Sequence, residues 1–166
     1  MLDKLNALPE AEFVSALKDI FEHSPWVPAA VAGLRPFGDI ETLHSALAGA
    51  MWRADQPTLL ALLNAHPELA GKEADAGTLT AHSTGEQDSV GLTRLTPEEK
   101  ARIVDLNRAY RAKHGFPFII AVKLRTKSQI FAAFESRLKA PTEAEFSLAL
   151  AEVGKIARMR LDALSL

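Results

Sequence analysis

TPEEKARIVDLNRAYRAKHGFPFIIAV, residues Thr96 to Val122, decides between an all-helical chain and a mixed one. Thr96 followed by Pro97, Glu98 and Glu99 is a capping box with proline in the first turn. The threonine hydroxyl can satisfy an orphan amide, the glutamate can reach back to another, and proline lacks the N–H that a helix start leaves unused. Helical spacing then places Ile103, Leu106 and Tyr110 inward, and Gly115 predicts the stop because it tolerates a left-handed backbone. Phe116-Pro117-Phe118-Ile119-Ile120-Ala121-Val122 is the one stretch with strand-like residues. A single strand would have no obvious partner for its main-chain groups, so it is expected to be an extended segment packed between helices.

Outward from this stretch, helical signals dominate. Ser128–Leu138 reads as one helix, and Thr142 with Glu145 forms a second capping box for a last helix running to about Leu164. Upstream, Pro9–Ile20 carries Phe13, Leu17 and Ile20 at helical spacing. Ser24 is expected to cap a helix with Pro25 at its first position. Asp39 is expected to cap Ile40–Trp52, with Leu43, Leu47 and Ala50 on one face, and Pro57–Ala65 is a short leucine-rich helix. Ala70–Leu95 differs: Gly71, Gly77, Gly85 and Gly91 lie among Thr, Ser, Asp and His. It is read as a long functional loop with one short helix inside it, since loops of that length need a reason. The expected architecture is all-α: a single-domain helical bundle over residues 1–166, with that loop and one extended non-helical segment.

Composition narrows the function. The 166 residues include no cysteine, which removes disulfides, thiolate metal sites and a cysteine nucleophile together. A formal charge of −2 with both signs interspersed lacks the basic footprint of a nucleic-acid binder. No apolar run approaches the roughly 18 residues of a membrane span. The N-terminal MLDKLNALPEAEF does not read as a signal peptide, and Leu164-Ser165-Leu166 is not the peroxisomal Ser-Lys-Leu, so a cytoplasmic location is expected. There is no phosphate loop, dinucleotide fingerprint, nucleophile elbow or HExxH. Any chemistry is expected to rest on a small acid/base set without a cofactor.

Three groups could supply it. On the last helix, with Phe146 as origin and ~100° per residue, Leu150, Val153, Ala157 and Leu164 fall within ~40°, and Arg160 lies in the same stripe. A guanidinium there is either an arginine snorkelling near a helix end or an anion clamp whose fork suits a carboxylate. His66, before Pro67, either meets the last carbonyls of its helix or acts as a general base. Ser83 and Glu86, at i and i+3, either form a capping box or place a carboxylate beside a histidine. The capping reading leaves Gln87 unexplained.

Together these residues resemble the OHCU decarboxylase family, whose substrate is 2-oxo-4-hydroxy-4-carboxy-5-ureidoimidazoline. Phe21-Glu22-His23-Ser24-Pro25-Trp26-Val27 is similar to its FE-x-SPWV element, and His66-Pro67-Glu68-Leu69 to its HP-D/E-L motif. Ser83-x-x-Glu86-Gln87 with Gly91-Leu92 is similar to S-x-x-EQ…GL. Leu106-Asn107-x-x-Tyr110-x-x-Lys113-x-Gly115-Phe116-Pro117-Phe118-Ile119 and Lys155-Ile156-Ala157-x-x-Arg160-Leu161 match its remaining segments. Each motif is weak alone; five in order at these spacings are specific.

The resemblance implies an all-α homodimer that decarboxylates this ureidoimidazoline to S-allantoin without a cofactor, the last step from urate to allantoin in purine breakdown. It implies catalytic roles for His66, Glu86 and Arg160. A substrate pocket would be completed by Pro67, Ser83, Gln87 and the main chain of Phe118, Ile119, Ile120, Ala121 and Val122. The competing readings are the preceding hydrolase of the pathway, which is β-rich, a non-catalytic helical scaffold, and a small-molecule-binding protein.

Overall fold

The computed structural model describes residues 1–165. Among them are ten α-helices, two short 3-10 turns and no strand, so the β-rich alternative falls. The chain divides into two compact units: Met1–Ala65 with the chain from Gly154 on, and His66–Val153.

The first unit holds α1 (Leu2–Ala7), α2 (Glu10–Leu17), α3 (Trp26–Val31), α4 (Ile40–Trp52) and α5 (Gln56–Asn64). Pro9 separates α1 from α2 because the residue before a proline is pushed out of the helical region, and Leu8 has ψ 145°. The expected helix over Pro9–Ile20 therefore covers only Glu10–Leu17. Ser24 does not cap α3: the N-cap is Pro25, without a side-chain cap, and the Ser24 hydroxyl donates to the Glu22 carbonyl at 3.0 Å. Asp39 does cap α4, accepting from the Thr42 amide at 2.7 Å, and Leu43 and Leu47 are fully buried. Helix α3 packs against both α2 and α4.

The second unit contains α6 (Lys72–Asp75), α7 (Ala81–Ser89), α8 (Pro97–His114), α9 (Lys127–Lys139) and the first part of α10, which spans Thr142–Asp162. The expected long loop over Ala70–Leu95 thus contains two helices rather than one. The glycines serve as punctuation: Gly77 and Gly91 take φ of 69° and 79°, a backbone that side chains resist. Helix α8 matches its sequence signals. Thr96 accepts from the Glu99 amide at 3.2 Å, and Gly115 ends the helix at φ 81°. Ile103 and Tyr110 are fully buried, but Leu106 is only half-buried and its neighbour Asn107 is buried instead.

The capping box expected of Thr142 and Glu145 does not form. Thr142 is already helical and its hydroxyl lies 2.8 Å from His114 Nδ1. Glu145 is drawn into the interior to accept from Arg137 and Tyr110. The reciprocal box stands instead at α9, between Thr126 and Gln129.

Residues 116–121 are non-helical and buried, as the sequence suggests. Aromatic packing fixes them. Phe118 stacks on Phe134 at 3.9 Å, and Tyr110 meets Phe116, Phe118 and Phe134 edge-on at 5.4–5.9 Å. Offset-stacked and edge-to-face arrangements suit the ring quadrupole. With side chains rather than strand partners holding it, the segment keeps main-chain groups that a sheet would consume.

Candidate active site

The site builds outward from the turn after α5. That helix ends at Asn64, Ala65 is its C-cap, and Pro67 bars continuation. His66 sits between them and is 7% exposed. The chain then winds tightly. Ala70 adopts φ 47°, a left-handed backbone that alanine rarely takes, and three polar side chains hold it there. Asn107 Nδ2 donates to Leu69 O at 2.9 Å, the Ala70 amide donates to Gln87 Oε1 at 2.8 Å, and Lys100 donates to Ala70 O. Gly71 is required by contact: a Cβ there would lie 2.7 Å from Glu68 Cβ.

Helix α7 supplies the next side chains. Its cap is Thr80, which accepts from the Ser83 amide at 3.3 Å. Ser83 and Glu86 are therefore not a capping box; both lie inside the helix. With Gln87 they occupy positions i, i+3 and i+4, which share one face, and that face is buried: Ser83 4%, Glu86 8% and Gln87 3% exposed. An ordinary amphipathic helix turns its apolar side inward. Here the buried side is serine, glutamate and glutamine, while Thr84 and Gly85 face out. Burying polar groups is costly unless they find partners or serve a ligand. The Ala70 contact pins the Gln87 oxygen, which leaves Nε2 as a directed donor with no acceptor among the described residues.

The extended segment lies in the same unit, and α7 packs against the 3-10 turn Val122–Leu124 at its end. Ile119 and Ile120 are 3% and 4% exposed. Arg137 Nη1 donates to Ile119 O at 2.8 Å, and Ala121 N donates to Glu152 Oε2 at 2.8 Å. Among the described residues, the amides of Phe118, Ile119 and Ile120 have no acceptor.

Arg160 belongs to the first unit. Its burial, 2% exposed, agrees with the helical phase. Its Nη1 donates to Glu22 Oε2 at 2.8 Å and to Asp19 O at 3.0 Å, and Glu22 is likewise 2% exposed. The FEHSPWV stretch thus has a structural duty: its glutamate meets the charge on α10.

Sequence reasoning missed Glu22, Arg137 and Glu152. Arg137 had a usable signal, because it continues the buried Ile130–Phe134 stripe of α9. Its guanidinium lies 4.5 Å over the Phe118 ring and donates to Glu145 at 3.0 Å. Tyr110 donates to the same carboxylate, and burial with that contact pushes its hydroxyl far above its ordinary pKa. Burial lowers the pKa of His114, and no other influence on that ring is as large.

No group of three or more His, Cys, Asp or Glu side chains is placed to share a metal ion among the described residues. An open groove of about 560 Å³ runs between Glu68–Gly71 and α8, but none of His66, Ser83, Glu86 and Gln87 lines it. The buried polar face of α7 is therefore the stronger candidate.

Comparison with known proteins bears on this arrangement. The family model described as OHCU decarboxylase matches residues 6–162. The chain belongs to the OHCU decarboxylase family. A 2-oxo-4-hydroxy-4-carboxy-5-ureidoimidazoline decarboxylase of Halalkalicoccus jeotgali is 40% identical over 164 residues, covering 99% of this chain and 91% of that protein. The uric acid degradation bifunctional protein PucL of Bacillus subtilis is 39% identical over 160 residues, 96% of this chain but only 32% of that protein. The crystal structure of an (S)-allantoin synthase superposes with a TM-score of 0.79 at 34% identity, covering 98% of this chain and 53% of that one. The all-α fold is thus that of OHCU decarboxylases. The chain corresponds in length to the single-function relative and to about a third of the bifunctional one.

Proposed function

We propose that this protein is a single-domain enzyme that decarboxylates 2-oxo-4-hydroxy-4-carboxy-5-ureidoimidazoline to S-allantoin and CO₂, without a cofactor. The observation that carries the reading is α7, a helix whose buried face is wholly polar. A scaffold helix would gain stability from apolar residues there. A site for a small, polar, charged ring needs what α7 offers.

In the proposed mechanism the substrate is its own electron sink. Its reacting carbon bears a hydroxyl and a carboxylate beside a C=N bond. As the C–C bond to the carboxylate breaks, CO₂ leaves and the bonding pair flows into the C=N. His66 takes the hydroxyl proton as that carbon becomes a carbonyl, the nitrogen of the former C=N takes up a proton, and the adjacent carbon gains one on a single face. Glu86 orients and tunes His66. Arg160 anchors the substrate, while Pro67, Ser83 and Gln87 hold its polar edges. The main chain of Phe118–Val122 supplies fixed dipoles where charge develops, which need no reorganisation during the reaction. The protein is proposed to work as a cytoplasmic homodimer. Sedimentation at micromolar concentration should then give roughly twice the 18.0 kDa chain mass, and a monomer alone would remove that element.

The test is to supply freshly made substrate and follow the allantoin by circular dichroism. The expected result is S-allantoin formed far faster than the spontaneous racemic product. His66→Asn should lower the rate on the order of 10²-fold or more with the fold intact. Glu86→Gln should also lose activity, because Thr80 and not this carboxylate caps α7. No enantiomeric excess over the protein-free control would refute the enzymatic reading, and near-normal rates in both variants would refute the residue roles.

A further inference from the structure

We propose that Arg137 and Glu152 are a pair of positioning residues that prime the main chain of Ile120 as a joint hydrogen-bond donor and acceptor for the substrate; this rests on the function proposed above. Each acts through a peptide group. The carbonyl of Ile119 and the amide of Ile120 belong to one peptide unit, and Arg137 Nη1 donates to that carbonyl at 2.8 Å. The carbonyl of Ile120 and the amide of Ala121 form the next unit, and that amide donates to Glu152 Oε2 at 2.8 Å. A cation on a peptide oxygen draws electrons from the nitrogen and makes its N–H a better donor. A carboxylate on a peptide N–H enriches the oxygen and makes it a better acceptor. Hydrogen bonds polarise one another along such chains, and those to ionised groups are roughly twice as strong as neutral ones.

The two effects converge on one residue. Among the described residues neither the N–H nor the C=O of Ile120 has a partner. Yet Ile120 is 4% exposed, and buried main-chain groups are almost always paired. A donor and an acceptor on one residue match the N–H and C=O edge of a cyclic urea or amide. Both positioning side chains are themselves braced. Arg137 is 9% exposed, stacks over Phe118 and is paired with Glu145, and Glu152 is 2% exposed.

The experiment compares Glu152→Gln, Glu152→Ala and Arg137→Lys with the parent enzyme. The readouts are decarboxylation kinetics, thermal melting, and the amide NMR signal of Ile120 on titration with (S)-allantoin. Glutamine retains an acceptor for Ala121 but loses the charge, so Glu152→Gln should fold normally and lower kcat/KM about tenfold. Glu152→Ala, which also frees the peptide, should lose about 100-fold. In the parent the Ile120 amide signal should move downfield with product, and the movement should shrink in each variant. Arg137→Lys keeps the charge but loses the planar fork that serves Ile119 and Glu145 together, so it should lower kcat/KM and shrink the Ile120 movement; if it unfolds, the glutamate series still decides. An active parent with Glu152→Gln and Glu152→Ala both within twofold, and an unchanged Ile120 response, would overturn the proposal. An inactive parent would instead overturn the function on which it rests.

Discussion

Arg160→Met separates structural from chemical duty at the last helix. From the sequence alone, replacing a guanidinium on an apolar stripe with methionine is expected to be neutral or stabilising, since a buried charge carries a desolvation cost. The structure reverses that sign. Arg160 and Glu22 are both 2% exposed and 2.8 Å apart, so removing the cation deprives a buried carboxylate of its arginine partner. Breaking such a pair from one side costs about 3–5 kcal/mol. For a chain of 166 residues, where 1 kcal/mol moves the midpoint by roughly 2–4 °C, melting should fall on the order of 10 °C. The double variant Arg160→Met with Glu22→Gln leaves no uncompensated charge and should recover most of that loss. Thermal melting followed by circular dichroism gives these values, and turnover measured on the same samples separates the roles. Recovered stability without recovered turnover is expected if Arg160 also anchors the substrate. Recovered turnover would make it purely structural. A single variant more stable than the parent, or a double variant no better than the single, would refute the ion-pair reasoning itself.

Further outcomes follow from the second unit. Gln87→Glu keeps the oxygen that accepts from Ala70 but loses the Nε2 donor and buries a carboxylate beside Glu86, so it should lower both melting temperature and turnover, the latter at least about tenfold; Gln87→Met should lose about 1–3 kcal/mol by orphaning a buried amide, and turnover with it. Parent-like melting and turnover in either variant would contradict this. Gly71→Ala drives a methyl to 2.7 Å from Glu68 Cβ and should destabilise by about 1–3 kcal/mol in a denaturant titration. His114, whose pKa is lowered from 6.5 by burial, is held neutral in the fold. Because the unfolded chain binds the proton more readily, this contribution to stability is present above about pH 6.5 and is lost as pH falls below it. His114→Gln should flatten the decline of melting temperature between pH 6.5 and 5, and an unchanged slope would count against it.

Local chemistry made much of the chain legible. Asp39 and Thr96 start helices where the sequence places them, because a cap needs only a side-chain oxygen and an amide three residues on. Gly115 stops α8 for an equally local reason. Angular phase located part of the buried side of α10: Leu150, Val153, Ala157 and Arg160 are buried, whereas Phe146 is half-buried and Leu164, also half-buried, lies past the helix end at Asp162. The order of FEHSPWV, HPEL, SxxEQ, GFPFI and KIAxxRL carried the family, because five short motifs at fixed spacings need no coordinates.

Choice among partners was not legible. Ser24, Ser83 and Thr142 all satisfy the local pattern of a cap, but competing groups decided otherwise. Thr80 took the start of α7, Ser24 turned to the Glu22 carbonyl, and Glu145 was worth more to the buried Arg137 and Tyr110 than to a helix end. Arg160 shows the general reason. The sequence marks it as a charge in an apolar stripe, which demands compensation, but its partner stands 138 residues earlier. Periodicity reports which face of a helix is buried; only tertiary packing brings distant carboxylates, amides and guanidinium groups within 3 Å and so determines which charges are paired and which peptide groups, such as those of Ile120, have no partner among the described residues.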